Sequence, residues 1–174
     1  MYFSSFTEMQ KAVNIVLTSP HPVNKIAATV FGSTPDGKPY SLSSTNYWPE
    51  PILKAMGAES RIGNSSGTVH AETNCLFKAP YTNGASICVT DPFCPNCAKN
   101  MAEAGIKTIY IDHKGFDKDF AARRGDHFTS MSMRICEKAG MNVYRIHRKK
   151  EKLVPILEIP DTFIPTEDSP VDIT

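Results

Sequence analysis

No run of apolar residues in this sequence approaches the roughly 20 that a helix needs to cross a bilayer. The N-terminus also lacks the charged segment followed by an apolar one that marks a secretory signal. The expectation is a cytoplasmic protein with no membrane partner. Charge of one sign is missing too: the net charge is +1, so composition does not point to a nucleic-acid partner. The basic cluster Arg145, His147, Arg148, Lys149, Lys150 and Lys152 is better read as a solvated edge at a strand end than as an RNA contact. Cysteines are few and odd in number, five in all. That argues against a disulfide framework and for a reducing compartment. There is no internal repeat.

What is present is an ordinary globular composition, 41% apolar over 174 residues, which suits one domain with a sizeable core. Met9, Val13, Val16 and Leu17 recur at helical spacing over Thr7 to Leu17, ahead of Pro20 and Pro22. Lys25 to Phe31 and Pro39 to Thr45 read as two strands of a hairpin turned at Pro35-Asp36-Gly37. Residues 49 to 67 look like a short helix and irregular chain leading to a helix over Val69 to Lys78. Strands over Ser86 to Thr90, Thr108 to Asp112 and Asn142 to Ile146 then alternate with helices running from Cys94 toward Gly105 and from about Asp126 to Ala139. The last helix is expected to turn Phe128, Met131, Ile135 and Cys136 inward. Such alternation implies a three-layer α/β/α sandwich. We place the domain at 1–152 and read 153–174, with Pro155, Pro160, Pro165 and Pro170, as an extended arm packed on its own domain or a neighbour.

The chemistry concentrates in His70-Ala71-Glu72 and Cys94-Pro95-Asn96-Cys97. Cysteines three apart in the first turn of a helix share a face, and Pro95 is tolerated there because a helix start needs no donor from it. One imidazole and two thiolates furnish three ligands to a zinc ion, Zn²⁺, leaving a fourth position for water. Glu72, two residues beyond His70, is placed to carry that water's protons. Two rival readings exist. Cys-Pro-x-Cys after a strand also occurs in thioredoxin-like redox sites, but leaves His70 and Glu72 without a role. A closed, non-catalytic zinc module needs a fourth protein ligand, for which Cys75 or Cys88 would have to serve.

Cys75, Cys88 and Cys136 otherwise fall in apolar patterns and read as small buried residues. His21, between prolines, reads as a surface loop residue, and His113 and His127 as exposed or capping residues.

His70-Ala71-Glu72-Thr73-Asn74, Cys94-Pro95-Asn96-Cys97-Ala98-Lys99, Ala104-Gly105-Ile106-Lys107 and Ile109-Tyr110 resemble the deoxycytidylate deaminase branch of the cytidine deaminase superfamily. Asn46 with Pro49 is similar to the Asn-x-x-Pro substrate loop of that branch and of tRNA adenosine deaminases. The resemblance spans roughly residues 25 to 147. It implies a mixed five-stranded sheet, a homo-oligomer, and zinc held by His70, Cys94 and Cys97 with Glu72 as the proton carrier. It also implies hydrolytic removal of the exocyclic amine from a small nucleoside or nucleotide, a cytosine compound such as dCMP leading over tRNA adenosine, free-base or guanine substrates.

Asn46, Ala71, Asn74 and Trp48 are the expected substrate contacts, set against Trp48 with Tyr47 packing under the loop and Asn74 only capping or pinning it. Arg61, Lys78, Arg123 and Arg124 are candidates to meet a phosphate, each set against an exposed charge. Two departures bear on the pocket. Phe93 stands where the family carries Pro before the first cysteine, and Tyr47-Trp48 stand where the branch tends to carry glycine.

Overall fold

A computed structural model describes residues 3–57, 61–62, 65–119 and 131–160. Its centre is a six-stranded mixed sheet in the order β2-β1-β5-β6-β7-β8. The strands are β1 (Ala27–Ser33), β2 (Pro39–Thr45), β5 (Ser86–Val89), β6 (Thr108–Asp112), β7 (Asn142–His147) and β8 (Lys152–Leu157). β3 (Arg61–Ile62) and β4 (Ser65–Ser66) make a separate short ladder. β1 runs antiparallel to β2 and β5, β5–β6–β7 run parallel, and β8 returns antiparallel. The sheet therefore has six strands rather than five. The added one falls in the segment expected to be an extended arm, where Pro155 lies opposite Tyr144 on an edge strand that tolerates a missing donor.

Alternation along each strand divides two cores. Ala28, Val30, Ile87, Val89, Ile109, Ile111 and Val143 face α3 (Ala71–Lys78), α4 (Pro95–Glu103) and α6 (Met133–Lys138), meeting Cys75, Cys97, Met101 and Met133. On the opposite face Phe31, Cys88 and Ile146 close on Met9 of α1 (Ser5–Ile15), with Phe3, Phe6 and Val13 at the margin. This is the expected α/β/α sandwich. Ser4 caps α1 by accepting a hydrogen bond from the Thr7 N–H. α2 (Glu50–Met56) follows Pro49 and has no buried residue.

The helix start expected at Val69 is shifted, because Val69 instead exchanges backbone bonds with Tyr47, and α3 begins at Ala71 with His70 as its cap. In the last helix Met131 is 49% exposed, and Met133 takes the inward position beside Cys136. The expected inward Phe128, and the helix start near Asp126, lie outside the described residues. The charged stretch after His113 contains a helix, α5 (His113–Asp119), that polarity masked. The basic cluster is likewise divided. Arg148 turns onto Asp112 at 2.8 Å and Gln10 at 2.8 Å, and Arg145 pairs with Asp117 at 3.1 Å, while Lys149, Lys150 and Lys152 stay in solvent. Among the described residues no helix is long and apolar enough to cross a membrane.

Gly115 couples α5 to the chain that leads into Cys94. A Cβ there would lie 1.8 Å from the Thr90 carbonyl oxygen. Thr90 is itself bound to Ala27 through both its N–H and its hydroxyl. An alanine in a helix normally stabilises by about 0.5–1 kcal/mol over glycine. Here the sign reverses: Gly115→Ala is expected to lower stability by about 1–3 kcal/mol or more, measured by denaturant unfolding.

Candidate metal and substrate site

α3 and α4 begin side by side, and each presents a ligand at its N-terminus: His70 caps α3 and Cys94 caps α4, with Cys97 in the first turn. His70 Nδ1 lies 3.2 Å from Cys97 Sγ and 3.6 Å from Cys94 Sγ, and all three donor atoms lie within 4.8 Å of one another. A tetrahedral zinc with nitrogen and sulfur ligands at about 2.0–2.3 Å needs nitrogen–sulfur separations of about 3.6 Å. The three side chains fit that ion. Two helix starts aimed at one point also favour thiolate over thiol. The mutual interaction of the two sulfurs pulls the Cys94 thiol well down and pushes Cys97 up.

Cys75 and Cys88 do not join the group. Cys75 Sγ points to the Ala28 carbonyl at 3.4 Å, and Cys88 lies in the other core, near the Ser5 carbonyl. Burial raises the Cys75 and Cys136 thiols to about 12 and pushes the Cys88 thiol well up. Among the described residues the cluster thus has three protein ligands, which leaves a closed four-ligand centre without its fourth member. His70, set against both sulfurs, also distinguishes the site from a simple dithiol pair.

Glu72, in the first turn of α3, is 2% exposed and accepts a hydrogen bond from Cys97 Sγ at 3.2 Å. Burial is the largest influence on its carboxyl and raises its pKa, with His70 opposing. It lines a cavity together with His21, Asn24, Ile26, Asn46, Thr68, His70, Pro92, Phe93 and Cys94. Phe93 therefore does form part of the pocket wall, and Ser132 holds its carbonyl at 3.0 Å.

The four expected substrate contacts separate. Asn46 lines the cavity, but its side chain is also a knot: Oδ1 accepts from Ser19 Oγ at 2.6 Å and from the Ile26 N–H at 3.0 Å, and Nδ2 donates to the Asn24 carbonyl at 2.8 Å. Asn74 donates to the carbonyls of Thr45 at 2.8 Å and Val69 at 3.3 Å, tying the Asn46 loop to α3. Ala71 is packed in the core. Trp48 is buried and stacks on His21, ring centroids 5.9 Å apart and planes 6° apart.

Trp48 is outside the cavity lining; His21 is on it. The surface expected for His21 is thus corrected: it is 6% exposed, because Trp48 covers one face and the Pro20–Pro22 turn folds it inward. The flanking prolines signalled the turn, but nothing in the sequence signalled the tryptophan beneath it. Lys78 sits over the Tyr47 ring at 4.9 Å and away from the cavity. The Arg61 side chain, Arg123, Arg124 and His127 lie outside the described residues.

The chain is 30% identical over 99 residues to an uncharacterized deaminase from the luxG 3′ region of Aliivibrio fischeri, a match covering 56% of this chain and 65% of that relative. It superposes on the dCMP deaminase of cyanophage S-TIM5 in complex with dCMP and dUMP, with a TM-score of 0.57, 18% identity, 83% of this chain and 100% of that one. The apo form of the same phage protein gives 0.54 and 20% identity over the same shares. No family model matches the chain. At these identities the likeness to the phage structures shows the fold, which is that of the dCMP deaminases.

Cys97→Ala removes a metal donor and the link between two helix starts. The purified variant is expected to lose bound zinc by elemental analysis and to unfold at lower temperature. Asn46→Ala cuts three bonds that join Ser19, Asn24 and Ile26. It is expected to destabilise by about 1–3 kcal/mol in thermal unfolding while zinc content holds.

Proposed function

We propose that the chain is a zinc-dependent hydrolytic deaminase that removes the exocyclic amine of a nucleobase in a small nucleoside or nucleotide, a cytosine compound such as dCMP being the first candidate. The observation that carries this reading is the His70–Cys94–Cys97 triangle beside a buried Glu72 on the wall of one cavity. A zinc held by the three side chains would lower the pKa of water to about 7, supplying a nucleophile at neutral pH.

Glu72 does the proton work. Its carboxylate takes a proton from the attacking water and delivers it to the ring nitrogen as the water oxygen bonds to the carbon bearing the amine. It then passes the second water proton to the leaving nitrogen, and ammonia departs as the carbonyl forms. Burial favours this role, since it raises the carboxyl's affinity for a proton above that of an exposed glutamate. The dCMP and dUMP named for the phage neighbour favour a pyrimidine nucleotide over the other bases. We assign the activity to a deaminase domain at 1–152.

Ammonia release from cytosine, cytidine, deoxycytidine, dCMP, adenosine and guanine derivatives tests the reading, with dCMP or deoxycytidine expected to lead. In Glu72→Gln the amide keeps the carboxylate's size but cannot shuttle protons. Zinc content is expected to hold while kcat falls by about 10²- to 10⁴-fold. Near-normal turnover in that variant would remove Glu72 from the mechanism.

A further inference from the structure

His21 is the cavity residue whose role the metal chemistry leaves open. Its Nδ1 accepts two backbone hydrogen bonds, from the N–H of Val23 at 3.2 Å and of Asn24 at 2.9 Å. An imidazole nitrogen that accepts is unprotonated, so the ring proton of the neutral form sits on Nε2. Stacking on the buried Trp48 holds the ring plane. Among the described residues no protein group engages Nε2, and it is not among their fully buried, unpartnered polar atoms. In a side chain 6% exposed that lines the cavity, this nitrogen is a polar atom left to face a ligand.

We propose that His21 is a specificity-determining residue that donates its Nε2–H to an uncharged oxygen of the substrate. The acceptor is the ring carbonyl of the base or a hydroxyl of the sugar. This inference rests on the cavity being the nucleobase site proposed above. Burial, followed by the charge of Lys25, holds the imidazole below its ordinary range and keeps it neutral. Lys25 itself donates to the Ser19 carbonyl. Among the described residues no lysine or arginine lines the cavity, so the donor there matches a neutral acceptor better than a phosphate. A nearly buried donor left unpaired penalises a compound that lacks the oxygen, and discrimination then follows from the site's own unmet bond.

His21→Asn separates this role from loop capping. An asparagine can offer Oδ1 to the same two backbone N–H groups in an Asx turn, and it cannot reach with a donor where Nε2 stands. With zinc content and melting temperature close to wild type, kcat/KM on deoxycytidine is expected to drop roughly tenfold or more. An unchanged kcat/KM in a folded, zinc-loaded His21→Asn would overturn the inference while leaving the deaminase reading intact.

A second measurement needs no His21 variant. In the ¹⁵N-labelled, zinc-loaded Glu72→Gln chain, imidazole spectra at neutral pH are expected to show His21 protonated on Nε2 and shifted by saturating deoxycytidine. A shift also produced by 1-methylcytosine assigns the acceptor to the base; one that needs deoxycytidine assigns it to the sugar. An Nδ1-protonated ring, or a signal that neither compound moves, sinks the proposal. Should the wild-type chain release no ammonia from any amino-base compound and the signal still shift, the deaminase reading falls and His21 remains a ligand contact.

Discussion

Two helix starts meeting at one point are the constraint on which the site depends. α3 and α4 pack on the same face of the sheet, and their first turns bring an imidazole and two thiols within 4.8 Å. Three polar, ionisable groups held so close are mutually unfavourable unless something neutralises them. Helix dipoles contribute, shared protons contribute in the metal-free chain, and a divalent cation would do so most completely. Glu72 is drawn into the same point because it lies on the first turn that His70 caps. Its burial follows from that position, and with it the raised affinity for a proton that the proposed chemistry uses.

The far wall of the cavity is held by a different device. Asn46 gathers Ser19, Asn24 and Ile26 through one amide, and Asn74 fastens the same loop to α3 through Thr45 and Val69. Tyr47 and Val69 add a backbone bridge. The two asparagines therefore act chiefly as pins between segments far apart in sequence, and Asn46 does so while still facing the cavity. Trp48 is one layer behind the wall, where it sets the plane of His21. Of the two readings open for Trp48, stacking on a base or packing under the loop, its burial against His21 matches the second.

Much of the architecture was legible because its signals are local. Alternation over Ser86 to Val89 and Thr108 to Asp112 records strands covered on both faces, and Gly140 after Lys138 marks a helix end. The segments misread are those where a distant partner overrides local character. Lys114, Asp117, Lys118 and Asp119 make α5 polar, yet Phe116 packs against the core and Gly115 lies against Thr90. The extended arm read over 153–174 left its docking place open, and only the edge of β7 decides that its first residues pair there as a strand. Arg148 looks like one more exposed cation until Asp112 and Gln10 are placed beside it.

By itself the sequence determined the grouping of His70, Cys94 and Cys97 with Glu72 beside them and the layered fold, since spacing of three along a helix and of two along a strand is intrinsic to backbone geometry. Tertiary structure decided which polar side chains remain available to a ligand. Hydrogen bonds saturate: once Asn74 is spent on backbone carbonyls and the Asn46 oxygen on Ser19 and Ile26, their capacity to meet another molecule is reduced, and no motif records that. His21 shows the converse. Its neighbours in sequence consume one ring nitrogen, Trp48 from 27 positions further along covers one face, and the nitrogen left over is the one the proposed contact uses.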